Sequence, residues 1–130
     1  MSIHVELTED AANDLEELAK SGLLKLFLSK LVKLEEDGPD IARPLGRDLT
    51  NWKKIVVGDR QWRIVFITDP KETVATVWVM GDRSDEECYA EALSRIAIAK
   101  NQTPQTQSLA AVLAAILMKK GAKKSKKGKK

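Results

Sequence analysis

Residues 52–80 read WKKIVVGDRQWRIVFITDPKETVATVWVM. Three runs rich in Val, Ile, Thr and Trp stand here, Trp52 to Val57, Trp62 to Thr68 and Thr73 to Met80. Such residues fit a pleated, half-buried surface, so each run predicts a strand. The breaks between them are short and polar. Gly58-Asp59-Arg60 is the first, and Asp69-Pro70-Lys71-Glu72 is the second. Turns this short join only antiparallel neighbours, so the stretch predicts a three-stranded antiparallel sheet.

Upstream, Ile3 to Leu7 alternates apolar and polar, which predicts another strand with one buried face. Thr8 is placed to cap a helix, with Glu9 and Asp10 at its positive end. Ala11, Ala12, Leu15, Leu18 and Ala19 recur at helical spacing until Ser21-Gly22 interrupts them. A second helix follows from about Leu23 to Glu36. Leu24, Phe27, Leu28, Leu31 and Leu34 line its face, and Asp37-Gly38-Pro39 stops it. So short a break predicts an antiparallel helical pair. A polar connection, Asp37 to Asn51, leads to the sheet.

Downstream, Ser84 with Glu87 three residues later is a capping box, which marks the start of a helix whose apolar face is supplied by Ala92, Leu93 and Ile96. The expected fold class is α+β: a small, mostly antiparallel β-sheet packed against an N-terminal helical hairpin, with a further C-terminal helix. The expected organisation is a domain over residues 1–100, a linker with a short Ala/Leu-rich helix over 101–118, and a disordered lysine-rich tail over 119–130.

A chain of 130 residues fits one compact domain. Its net charge of +3 conceals a division. Residues 119–130 hold eight lysines and no acid, while residues 1–118 hold 14 basic and 19 acidic residues. A basic balance therefore says nothing about the body. The one cysteine, Cys88, excludes an internal disulfide and a cysteine-based zinc site. The longest apolar run, Leu109 to Met118, is half the ~20 residues a membrane span needs. Met1 to Leu7 has neither the basic nor the apolar region of a signal peptide. A cytoplasmic protein without membrane contact is expected.

The familiar catalytic sets are absent. His4 is the only histidine, and its place in an alternating strand is that of a rim residue. With one Cys and one His, no metal site is expected. Neither GxxxxGK[ST] nor GxGxxG occurs, and no cofactor is expected. What remains is a set of cations about the three strands: Lys53, Lys54, Arg60, Arg63 and Arg83. Arg63 is embedded between Trp62 and Ile64, where lost solvation demands an anionic partner. Arg83 immediately precedes Ser84, beside a helix N-terminus whose free N–H groups also favour an anion. Two guanidinium groups at such a terminus suit a phosphate, and Tyr89, the only tyrosine, suits stacking or proton transfer. The plainer alternative is structural. Arg63 would pair with Asp82, Glu86 or Glu87, Arg83 would be solvated, and Lys53 and Lys54 would guard a strand edge.

These segments resemble the RelE/ParE superfamily of toxins from type II toxin–antitoxin systems, and the RelE-like branch in particular. The resemblance rests on residues 51–57, on Asp59-Arg60-Gln61-Trp62-Arg63-Ile64-Val65-Phe66, and on Val79 to Ser84 running on to Glu87-Cys88-Tyr89. It spans roughly residues 3–98. It implies a ribosome-dependent mRNA endonuclease (an mRNA interferase) that cleaves in the A site and inhibits translation. The implied chemistry is metal-free attack of a ribose 2′-OH on the adjacent phosphate. By position, Arg63 matches the arginine that binds the phosphate, and Arg83 the one that stabilises charge on the phosphorane. Tyr89 matches the tyrosine that orients or stacks the substrate. Lys54 matches the lysine that activates the 2′-OH or neutralises charge. Lys53 and Arg60 are the expected further RNA contacts. The implied partners are a cognate antitoxin, the ribosome with its rRNA, and mRNA, with the lysine tail a possible RNA contact.

In one place the sequence departs from that pattern. The family's usual second lysine, two residues after the first, is Val56 here. The extra lysine, Lys53, falls on the opposite strand face by alternation, unless a bulge or register shift intervenes. The competing functions are a ParE-like gyrase inhibitor, over which the conjunction of Lys54, Arg63, Arg83 and Tyr89 favours the nuclease, and a non-catalytic phage or host-factor binding module.

Overall fold

The computed structural model describes residues 2–45, 51–58, 62–81, 84–99 and 105–128. Strand β1 (His4–Thr8) runs into helix α1 (Glu9–Lys20), and α2 (Leu24–Asp37) follows. A single 3-10 turn, Pro39–Ile41, leads to the two-residue strand β2 (Arg43–Pro44). Then come β3 (Trp52–Val57), β4 (Trp62–Thr68), β5 (Val74–Gly81) and α3 (Asp85–Ala99). The chain closes with β6 (Thr106–Ser108) and α4 (Leu109–Gly128). The three strands and the helical pair stand where the sequence predicts them, with ends shifted by one residue at β1, β5 and α2.

All six strands form one sheet in the order β2-β3-β4-β5-β1-β6. The fold is α+β and the sheet is mostly antiparallel, the exception being the parallel pair β1–β5, with Val5 beside Ala75 and Leu7 beside Val77. Two apolar layers cover it. On one face Ile55, Val57, Ile64, Phe66 and Val77 meet Leu15 of α1 and Phe27, Leu31 and Leu34 of α2. On the other face Trp52, Val65 and Val79 meet Cys88 and Ala92 of α3. Tight strand alternation sends neighbouring residues into these two layers.

Several local devices are those the sequence announces. The Thr8 hydroxyl accepts from the Ala11 N–H at 3.1 Å. The capping box of α3 closes in both directions: Ser84 N–H to Glu87 Oε1 at 3.0 Å, and Glu87 N–H to Ser84 Oγ at 3.2 Å. Gly58 takes φ +67 at the end of β3, and a Cβ there would meet the Trp62 ring at 2.7 Å.

Two places differ from the expectation. The connection from Asp37 to Asn51 is not merely polar loop, because β2 pairs with Lys53 and Lys54 and covers that part of the β3 edge. The lysine pair therefore does not guard an open edge. The segment from residue 105 onward also joins the sheet and the core. β6 pairs antiparallel with β1, and Leu109, Val112 and Ile116 of α4 are buried in the main core. The backbone of α4 runs on past Met118 to Gly128, so the helix does not end where the apolar residues do. Lysine is a good helix former, which explains why the change in composition is no boundary. Among the described residues no helix is long and apolar enough to cross a membrane.

Candidate functional site

The β3–β4 register runs unbroken from Trp52 opposite Ile67 to Val57 opposite Trp62. It places Lys54 opposite Val65 and Val56 opposite Arg63. Val65 belongs to the α3-side layer, so strand alternation places Lys54, Val56 and Arg63 on that same face. Lys54 and Arg63 are diagonal neighbours there, within reach of long side chains. Both are half-buried, at the rim of the layer that α3 covers. The Arg63 guanidinium donates through Nη1 to the Trp62 carbonyl at 3.3 Å.

Lys53 takes the other face, and its Nζ lies 3.7 Å from Glu72 Oε2. No bulge in β3 brings it round beside Lys54. The irregularity lies one strand further in, on β5. There Val65 pairs with Val79 but Phe66 pairs with Val77, which leaves Trp78 as the extra residue. The bulge lets Trp78 join Val79 in the α3-side layer, where its ring meets that of Trp52 at 5.6 Å between centroids.

Tyr89 stands half-buried on α3, next to the buried Cys88 that docks this helix on the sheet. The structure thus sets Lys54, Arg63 and the helix bearing Tyr89 on one side of the sheet. Arg60 and Arg83 lie outside the described residues. His4 is exposed, 3.2 Å from Glu6 Oε2, and is the rim residue its strand pattern suggests. Among the described residues no group of three His, Cys, Asp or Glu side chains is placed to hold a metal.

One polar constellation goes beyond the residues picked out from sequence. Beyond Val77, β5 continues to Gly81 without β1 beside it. Asp14 of α1 and Arg95 of α3 meet at this exposed length of strand. Arg95 Nη1 lies 2.8 Å from Asp14 Oδ2, and Nη2 lies 3.2 Å from Oδ1. Nη1 also donates to the Trp78 carbonyl at 2.6 Å, and Nε to Glu91 Oε2 at 2.8 Å. Asp14 Oδ2 accepts the Met80 N–H at 2.9 Å. The pair therefore satisfies backbone groups that the bulge and the end of β1 leave open. Burial pulls the Arg95 pKa down, but the hydrogen bond and charge of Asp14, with those of Glu91, outweigh it and the net shift is upward. A signal existed in the sequence. Asp14 lies between Ala11 and Leu18 on the apolar stripe of α1, and Arg95 follows Cys88 and Ala92 on that of α3.

No protein-family model and no curated protein matches the sequence. Solved structures do. The chain is similar to the E. coli toxin RelE, solved as a double arginine-to-alanine mutant in the free state, with 26% identity and a TM-score of 0.56 over 74% of this chain and 99% of that one. The same toxin mutant in complex with an antitoxin RelBc peptide matches with 24% identity and a TM-score of 0.54, over 71% and 95% of the two chains. The RelBE2 toxin–antitoxin complex from Mycobacterium tuberculosis matches with 20% identity and a TM-score of 0.53, over 64% and 100%. The fold is that of the RelE toxins, and the chain is RelE-like.

Proposed function

We propose that this chain is the toxin of a toxin–antitoxin pair and acts as a ribosome-dependent mRNA endonuclease. The observation that carries the reading is the register of β3 and β4, which puts Lys54 and Arg63 on one face at the rim beneath α3. The likeness to RelE structures supports the toxin assignment, and the complexes among them support a cognate antitoxin as partner.

The chemistry follows from what such a face offers. Attack of a ribose 2′-OH on the neighbouring phosphate forms a bond from that oxygen to phosphorus. The bond to the 5′-oxygen then breaks and that oxygen takes up a proton from water, leaving a 2′,3′-cyclic phosphate and a 5′-OH. Negative charge grows on the phosphoryl oxygens along the way. Arg63 binds that phosphate, and Arg83, two residues beyond Gly81 in the chain, supplies a second guanidinium to the developing charge. Donors fixed before reaction stabilise the transition state more than the ground state. Lys54 neutralises charge at the 2′-oxygen or takes its proton, and Tyr89 orients the substrate from α3. Arg60 and the lysine tail add RNA contacts. Lys53, held on the opposite face, has no part in the chemical step.

Val56 sits directly opposite Arg63. A lysine there would set two cations face to face on neighbouring strands, which costs stability. This site works with one strand lysine on the reacting face.

The test is primer extension on programmed ribosomes with wild type, Arg83→Ala, Arg63→Ala and Lys54→Ala. Wild type is expected to cut within the A-site codon, and Arg83→Ala to lose about 10²-fold or more, the scale of one lost oxyanion donor. Absence of cutting by the wild type, with inhibition of DNA supercoiling in its place, would refute the endonuclease.

A further inference from the structure

A cleft of about 230 Å³ opens at the edge of β3, lined by Lys30, Lys33, Ile41, Arg43, Lys54, Ile55 and Val56. Four of the seven are cations and none is an acid. They come from three separate elements: Lys30 and Lys33 from α2, Arg43 from β2, and Lys54 from β3. On α2 the buried residues Phe27, Leu31 and Leu34 fix the helix against the sheet. Lys30 and Lys33, three apart, are therefore neighbours on the side of α2 that flanks the cleft. The two-residue β2 ends at Pro44, so it holds Arg43 opposite Lys54 and leaves β3 uncovered from Ile55 onward.

Several other described cations have carboxylates in reach. Lys20 has Glu17, Lys53 has Glu72, Arg95 has Asp14 and Glu91, and Lys119 has Glu16. Lys30, Lys33 and Arg43 make no ion pair among the described residues. Converging like charges raise one another's energy, and an anion entering the cleft relieves this. The body of the protein carries a net negative charge, so a concentration of cations here is a local feature and not a consequence of composition.

We infer that this cleft is a backbone subsite for the RNA strand, continuous with the cleavage site through Lys54. The inference rests on the endonuclease reading for its ligand, since Lys54 belongs both to the cleft and to the reacting face. A strand whose scissile phosphate lies by Lys54 and Arg63 runs out past the β3 edge, where Arg43, Lys30 and Lys33 meet the following phosphates. Among the described residues the cleft has no aromatic side chain to stack a base, and Ile41, Ile55 and Val56 offer no hydrogen-bond donors from their side chains. It therefore holds the strand without reading its sequence.

Binding is measured with a fluorescein-labelled, fully 2′-O-methylated ten-nucleotide RNA, which has no 2′-OH to attack, by anisotropy across a KCl series. Two lost contacts to a single strand lower the slope of log K against log salt by about 1.4, which is about 25-fold in affinity at 0.1 M salt. Lys30→Gln/Lys33→Gln is expected to show that change, and Lys20→Gln/Lys25→Gln, which removes as much charge outside the cleft, a much smaller one. Equal effects from the two variants, or an unchanged slope for the cleft variant, overturn the subsite. Binding of poly-glutamate in place of RNA overturns it as well. Ribosomal cutting by wild type with an unchanged slope leaves the endonuclease standing and removes the subsite. A shifted slope without cutting does the reverse.

Discussion

Replacing Asp14 by alanine tests how the face bearing the proposed site is held together. The carboxylate sits between α1, α3 and the bulged end of β5, with its side chain 16% exposed and that of Arg95 10% exposed. Its loss leaves the Arg95 guanidinium with Glu91 and the Trp78 carbonyl, and strands the Met80 N–H. Breaking a buried ion pair from one side costs about 3–5 kcal/mol. An orphaned buried N–H adds about 1–3 kcal/mol where water cannot reach it. Arg95 keeps two of its partners and the site has a wet side, so the low end applies: Asp14→Ala is expected to cost about 3 kcal/mol. Arg95→Met removes the charge that needs a partner and is expected to cost about 2 kcal/mol, the double variant falling well short of the sum. Urea denaturation followed by circular dichroism gives these values, and the m-value must stay constant for the comparison to hold. A loss below about 1 kcal/mol for Asp14→Ala would place the pair among weak surface bridges and refute the reasoning. The net upward shift keeps Arg95 charged over any working pH, so the effect does not depend on its titration.

Three more outcomes follow from local geometry. Asp69 closes the β4–β5 hairpin, accepting from the Thr73 hydroxyl at 2.6 Å and from the Thr73 and Val74 N–H groups at 2.6 and 2.8 Å, and the Thr73 hydroxyl bond leads the lowering of its pKa. Its contribution is thus present above the unfolded value of about 3.9 and fades as pH falls through the lower folded value. Asp69→Asn should flatten the acid limb of the stability curve, and an unaltered limb would count against the turn's role. Gly58→Ala forces a side chain into a left-handed backbone with its Cβ 2.7 Å from the Trp62 ring. A loss of about 1–3 kcal/mol is expected in thermal unfolding, and no loss would mean that the turn can relax. Ile116→Ala, at a residue 6% exposed in the main core, should cost about 2 kcal/mol. A negligible cost would show that α4 is dispensable to the domain.

The strands from Trp52 to Gly81 were legible because β-rich composition, period-two spacing and short turns all agree there. The helices were legible because Thr8 and Ser84 announce their starts and the apolar stripes have the helical period. Lys54 and Arg63 could be singled out as cations in apolar strands. That they share a face depends on the register, and a slip of one residue would have separated them. The bulge at Trp78 left no trace in local pattern, since it arises from how β4 and β5 match along their length. β6 lies in a stretch with the composition of a linker, because three polar residues at a sheet edge carry no periodicity. Asp14 and Arg95 stand out in the sequence only as charges on the apolar stripes of their helices, and that they pair with each other follows from two helices on opposite faces meeting at one strand end.

By itself the sequence of this protein determined the elements, their polarity of burial, and the residue types available for chemistry. All of these depend on neighbours within a few positions, where backbone preference and hydrophobic period act. Only the tertiary structure decided which cations share a face, which is locked to Glu72, and which converge on the cleft between α2 and the β3 edge. It also decided that the residues after 104 finish the sheet and the core. Those outcomes rest on contacts between separate elements, from the β3–β4 register that sets Lys54 near Arg63 to Arg95 with Asp14 and Thr106 with Glu6, and no local preference encodes them.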